Sequence, residues 1–236
     1  MTYSLRRVYA IFQKDLKDVL KNMFITTSLP VPLVFALIAS RDPNPPVEAH
    51  FMFINLVLVM ITAFLQSAII AEEKEKNTLR GLMLSPATTL EILNGKSLLT
   101  FVFTIVTIMV GAAISGYEPA NLWLVAVAFL FSIFFYLALG TLIGLYTKSM
   151  MEASVLLMPI LLVFGFGTMH RAFIEEYAFL SFTEYFPNIQ LLELAENVQT
   201  GAGIADVWPA LTIILAWSIV MFLLVIIVFK RREIDE

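Results

Sequence analysis

Of the chain's 236 residues, 59% are apolar and only 14% are Asp, Glu, Lys or Arg, which is more apolar surface than a soluble core of this length can bury. This composition excludes an ordinary soluble enzyme, and with a formal net charge of −4 no nucleic-acid partner is expected. The absence of cysteine removes disulfides and thiolate metal sites from consideration. The chain reads instead as an all-α polytopic membrane protein.

In chain order, the first element is an amphipathic helix over residues 3–22. Leu5, Val8, Tyr9, Phe12, Leu16, Val19 and Leu20 recur at three- and four-residue steps, with Arg6, Arg7, Lys14, Lys17, Asp18 and Lys21 elsewhere on the wheel. That pattern suits a helix lying in a membrane interface, or a charged extension of the first span. No cleavable signal peptide is read ahead of it. Six apolar segments then follow, at about residues 24–40, 51–71, 97–114, 122–146, 153–169 and 208–229. Each meets or approaches the roughly 20 residues that cross about 30 Å of hydrocarbon. None of them holds a Lys, Arg, Asp, Glu or His, so helices are expected and not barrel strands.

Pro30 and Pro32 should kink the first span, and Arg41-Asp-Pro-Asn-Pro-Pro46 should end it, because proline removes backbone donors. The loop over residues 115–121 is short enough to make the third and fourth spans antiparallel neighbours. Residues 170–207 are too rich in Phe, Tyr and Leu for a solvated linker. They read as an outer lid with a short helix that begins at Pro187 and stops at Gly201-Ala-Gly203.

Orientation follows from Lys and Arg, which resist translocation. All but two of the 15 Lys and Arg residues fall in one set of segments, the exceptions being Arg41 and Arg171. Both termini and the loop over residues 72–96 are therefore expected on the cytoplasmic side. The opposite side collects Asp42, Glu48, Glu118, Glu175, Glu176, Glu184, Glu193, Glu196 and Asp206.

The 72–96 loop, EEKEKNTLRGLMLSPATTLEILNGK, carries the clearest functional signal. Thr78, Leu79, Leu82 and Met83 would line one side of a short helix that Ser85-Pro86 breaks. A solvated loop has no need of such a stripe, whereas a short helix docking in a groove of a soluble partner does. Thr88 to Lys96 then forms a second helical stretch leading into the third span.

This segment resembles the ABC-2 type permeases, the transmembrane subunits of ATP-binding-cassette exporters. Their loop between spans two and three reads Glu-x-Glu-x-Gly-Thr-Leu, then Ser-Pro, then Glu-Ile-Leu-x-Gly-Lys. The matching residues are Glu73, Glu75, Thr78, Leu79, Ser85, Pro86, Glu91, Ile92, Leu93, Gly95 and Lys96, with departures at Asn77, where glycine is usual, and at Arg80, where an acid is common. The resemblance implies a coupling helix over about residues 73–84, with Glu73, Glu75, Leu79, Arg80, Leu82 and Met83 for docking and Ser85 and Pro86 fixing the turn. It further implies a separate nucleotide-binding subunit that carries ATP and magnesium, a second permease copy or a related permease, and the inner membrane of a prokaryote. The chain has no Gly-x-x-x-x-Gly-Lys-Ser/Thr phosphate loop of its own, so neither catalytic residues nor a cofactor are expected on it.

With no charge in the spans, the cargo pathway is read from neutral groups: Asn55, Gln66, Thr104 and Ser132. Phe and Met around them suit a hydrophobic or amphiphilic cargo, such as a peptide antibiotic, a drug or a lipid-like molecule. Gly140 and Gly144 form a GxxxG pair, assigned to subunit packing with ordinary packing inside the bundle as the alternative. His50, His170 and the Glu175-Glu176 pair raise a different reading, a membrane-embedded metalloenzyme. A third is a non-transporting sensor or immunity subunit that keeps the docking loop.

Overall fold

The structure is a computed structural model that describes residues 3–76, 78, 85–170 and 178–235. Among these the chain is helical. α1 spans Leu5–Lys21, and α2 (Met23–Ser28) and α3 (Val31–Ala39) follow a sharp corner. α4 runs Val47–Glu75, α5 Thr89–Ser115, α6 Leu122–Tyr146 and α7 Met150–Gly165. After 3₁₀ turns at Gly167–His170 and Ala178–Tyr185, α8 (Pro187–Gln199) leads into α9 (Ile204–Asp235).

Four of the described helices are long and apolar enough to cross a membrane: Val47–Glu75, Leu90–Ser115, Leu122–Tyr146 and Ile204–Phe229. The first and fifth expected spans correspond to shorter pieces. α2 and α3 are separated by a break at Leu29 and Pro30, as two closely spaced prolines require. α7 is short, with Pro159 inside it and its last turn, Leu161–Gly165, widened to a π-helix. The expected stretch from Thr88 to Lys96 and the third span are one continuous helix, α5. Thr88 starts it with a capping box, accepting from the Glu91 N–H while Glu91 accepts from the Thr88 N–H.

α4 sits at the centre and is almost wholly enclosed by the other helices. Its polar side chains account for this. Asn55, Thr62, Gln66 and Ser67 would each face hydrocarbon on a peripheral helix, and inside the bundle they do not. α5 and α9 turn long apolar faces outward, including Val102, Val106 and Met109 on one and Ile219, Phe222 and Leu223 on the other. Such faces suit the hydrocarbon of a membrane. Although a six-residue loop with left-handed Gly116 joins α5 to α6, α4 is wedged between them at the level of Gln66.

α8 begins at Pro187 and stops before left-handed Gly201. Ile189, Leu191, Leu194, Ala195 and Val198 are buried against α4, α6 and α9. The Trp217 indole N–H donates to the Tyr185 carbonyl at 2.8 Å, fixing the approach to this helix against α9.

Candidate functional site: the charged end of the bundle

α1, the end of α4 and the start of α5 meet where the charged loop leaves the bundle. α1 turns its Val8, Ile11, Asp15 and Val19 face inward. Gly95 makes the approach possible, since a Cβ there would lie 2.8 Å from the Ile11 Cβ and 3.0 Å from the Val8 carbonyl oxygen. Only a residue without a side chain lets α1 lie this close to α5.

Two charge clusters hold the contact. In the first, the Lys96 ammonium lies 3.2 Å from Asp15 Oδ2 and 2.7 Å from Glu73 Oε2. Lys14 pairs with the other Glu73 oxygen and lies 3.1 Å from Asp15 Oδ1. Lys96, Asp15 and Glu73 are only 1%, 2% and 5% exposed, so four charges of balanced sign are gathered largely out of water. Burial would lower the Lys14 pKa, but the hydrogen bonds and charges of Glu73 and Asp15 outweigh it and raise the value above the ordinary lysine range. Burial pushes the Asp15 carboxyl up, an effect that Lys96 and Lys14 offset only in part.

In the second cluster Glu91 is the hub. Its carboxylate accepts from Arg7 Nη2 at 2.7 Å and Nε at 2.9 Å, from the Ser4 N–H at 2.5 Å and from the Thr88 N–H at 2.7 Å. A bidentate guanidinium pair of this kind fixes direction as well as distance.

Neighbouring residues tie in the remaining helices. Asn22 forms the corner after α1: its Oδ1 accepts from the Phe24 and Ile25 N–H groups, and its Nδ2 donates to Glu72 Oε1 at 3.2 Å. Lys74 donates to the carbonyls of Gly144, Leu145 and Thr147, closing the C-terminus of α6. Glu75 Oε2 accepts from the Met150 N–H at 3.1 Å, at the N-terminus of α7. The last turn of α4 is therefore bonded to α1, α5, α6 and α7 at once.

The profile of the ABC-2 family of transporter proteins matches residues 3–227, nearly the whole chain. The chain belongs to the ABC-2 family. It is therefore a multi-pass membrane component of a transporter, in a family that is generally not enzymatic. No curated protein matches it.

In this ABC-2 chain the motif residues split into two groups. Glu73, Glu91, Gly95 and Lys96 face inward and grip α1. Glu73, expected to dock a soluble partner, points its carboxylate at two lysines inside the fold. Glu75 faces α7, and Thr78 is exposed with its hydroxyl donating to the Glu73 carbonyl at 3.3 Å. Ser85 and Pro86 form a bend in which Ser85 Oγ accepts from the Ala87 N–H at 3.2 Å. Leu79, Arg80, Leu82 and Met83 lie outside the described residues.

The expected pathway residues are all buried within the chain. Gln66 ties three helices together, donating to Ser97 Oγ at 3.2 Å and Thr141 Oγ1 at 3.1 Å and accepting from Thr100 Oγ1 at 2.8 Å. Thr104 bonds Thr62 at 2.9 Å and the Thr100 carbonyl at 2.8 Å. The side chains of Asn55 and Ser132 are buried with no hydrogen-bond partner among the described residues. The glycine pair lies against α4, in keeping with packing inside the bundle. A Cβ on Gly140 would meet the Ala63 carbonyl oxygen at 2.4 Å, and one on Gly144 the Ser67 carbonyl oxygen at 2.9 Å. Both glycines serve the contact between α6 and α4 inside the chain.

His50 is buried, shares a hydrogen bond of 3.1 Å with Ser115 and packs on the Tyr117 ring. Among the described residues no three His, Asp or Glu side chains gather as metal ligands would. Glu175 and Glu176 lie outside the described residues. Asp15 and Asn22 were not anticipated as site residues. Asp15 carried a readable signal: an acid on the Val8, Ile11, Val19 face of an otherwise apolar stripe.

Proposed function

We propose that this chain is the permease subunit of an ABC exporter. It would pair with a second copy or a related permease, span the inner membrane six times with both termini in the cytoplasm, and be driven by a separate subunit that binds ATP and magnesium. The cargo is hydrophobic or amphiphilic, in keeping with uncharged spans lined by neutral polar groups, Phe and Met. The short helices between the fifth and sixth spans act as its outer lid.

The observation that carries the reading is the largely buried quartet of Lys14, Asp15, Glu73 and Lys96. It joins α1 to both helices that flank the coupling loop, so a push on that loop moves α1, α4 and α5 as one body. Glu73 then works as a positioning residue that stiffens the base of the loop, while Leu79, Arg80, Leu82 and Met83 make the docking contact.

The test is affinity purification from native membranes in mild detergent, with mass identification of partners and an ATPase assay. Recovery of an ATP-binding-cassette subunit, lost on Leu79→Asp with Met83→Asp while the permease stays monodisperse, supports the reading. A chain that purifies without any nucleotide-binding partner overturns it and favours a non-transporting sensor or an embedded enzyme.

A further inference from the structure

α1 has three faces and only one is spent on the bundle. Beside the buried Val8, Ile11, Asp15 and Val19 face lies an apolar one carrying Leu5, Tyr9 and Leu20, all exposed, which continues through exposed Met23 and Phe24 at the corner. The third face is basic, and the structure divides it. Arg7 and Lys14, on the edge nearest the bundle, are taken up by Glu91 and by Glu73 with Asp15. Arg6 and Lys17 fall on the other edge, about 40–60° beyond Leu20 at 100° per residue. Both are exposed, and neither forms an ion pair with any described residue.

The direction of α1 completes the geometry. It meets the α2–α3 segment at 76°, so a membrane entered by α3 runs along α1. Its apolar face is then the side turned to the acyl boundary, with Arg6 and Lys17 at headgroup level.

We infer that α1 selects anionic lipid, with Arg6 and Lys17 binding the phosphate headgroups of the leaflet at the charged end of the bundle. A Lys or Arg near an anionic surface strengthens attachment by about fivefold, and two on one edge of one helix act together. Because α1 is clamped to Glu73, Glu91 and Lys96, the lipid charge under it also bears on the flanks of the coupling loop. This inference does not depend on the proposed transport activity.

The chain has no cysteine, so Gln13→Cys, at an exposed position between Leu20 and Arg6 on the wheel, accepts one fluorescent label. The labelled full-length chain is placed in phosphatidylcholine nanodiscs holding either brominated phosphatidylglycerol or, at equal mole fraction, brominated phosphatidylcholine. Quenching by the anionic lipid should exceed quenching by the neutral one by about twofold or more. That ratio should fall to one in Arg6→Gln with Lys17→Gln, and should survive Arg41→Gln, an exposed cation past the end of α3 that belongs neither to α1 nor to its clamp. Equal quenching by the two lipids, no quenching by either, or a ratio that persists without Arg6 and Lys17 overturns the inference.

Discussion

Removing the Lys96 ammonium tests the charged end most directly. Lys96 is 1% exposed and lies 3.2 Å from Asp15 and 2.7 Å from Glu73. Lys96→Met keeps most of the side-chain volume but leaves two buried carboxylates facing Lys14 alone, whose side chain is 40% exposed. Breaking a buried pair by deleting one partner costs about 3–5 kcal/mol. At roughly 2–4 °C per kcal/mol for a chain of this size, Tm should fall by roughly 6–20 °C. Adding Asp15→Asn restores neutrality, with Lys14 left to Glu73. The double variant should therefore be less destabilised than the two single losses combined, by about 0.5–3 kcal/mol of coupling. The assay is the monodisperse fraction after a heating series in detergent, with limited proteolysis of α1 as the local readout. A Lys96→Met Tm within about 2 °C of the parent, or a double variant whose losses simply add, would refute the view that these charges act as one buried unit.

Other outcomes follow from the same contacts. Gly140→Leu should abolish monodisperse expression, because its Cβ would lie 2.4 Å from the Ala63 carbonyl oxygen and backbone cannot yield as a side chain can; a folded variant that merely loses self-association would return the glycines to a subunit contact. Gln66→Leu leaves Ser97, Thr100 and Thr141 without their shared partner and should cost about 1–3 kcal/mol in heat-challenge measurements. Lys74→Met should fray the α6 C-terminus, raising amide exchange at residues 144–147 while leaving the start of α6 unchanged, since only the last carbonyls lose a donor.

Pattern alone revealed the helical class, the break at Pro30 and Pro32, the start of α8 at Pro187 and the special character of the 72–96 segment. These are local matters: a missing N–H, a proline at the first turn, a run of charge between apolar stretches. The faces of α1 were not legible in the same way. Leu5, Val8, Tyr9, Phe12, Leu16, Val19 and Leu20 look like one stripe, yet Val8 and Val19 are buried while Leu5, Tyr9 and Leu20 are exposed. Two surroundings, protein on one side and lipid on the next, both reward apolar residues, so hydropathy does not separate them. Gln66 and Thr104 posed the same difficulty. A neutral polar group in a span suits either a cargo path or a bond between helices, and only the positions of Ser97, Thr100, Thr141 and Thr62 distinguish the two.

The sequence by itself determined that the chain is a multi-pass helical membrane protein with one charged end, because so apolar a composition needs lipid around it and uncharged segments of about 20 residues satisfy their backbone there as helices. Its motif residues also pointed to the ABC-2 family. Tertiary structure alone decided that α4 is the enclosed helix, that Gly140 and Gly144 serve it, and that Glu73, Glu91 and Lys96 turn inward to hold α1. Those outcomes depend on which helices become neighbours. An ion pair between Asp15 and Lys96, 81 positions apart, is set by packing, and no periodicity along the chain records it.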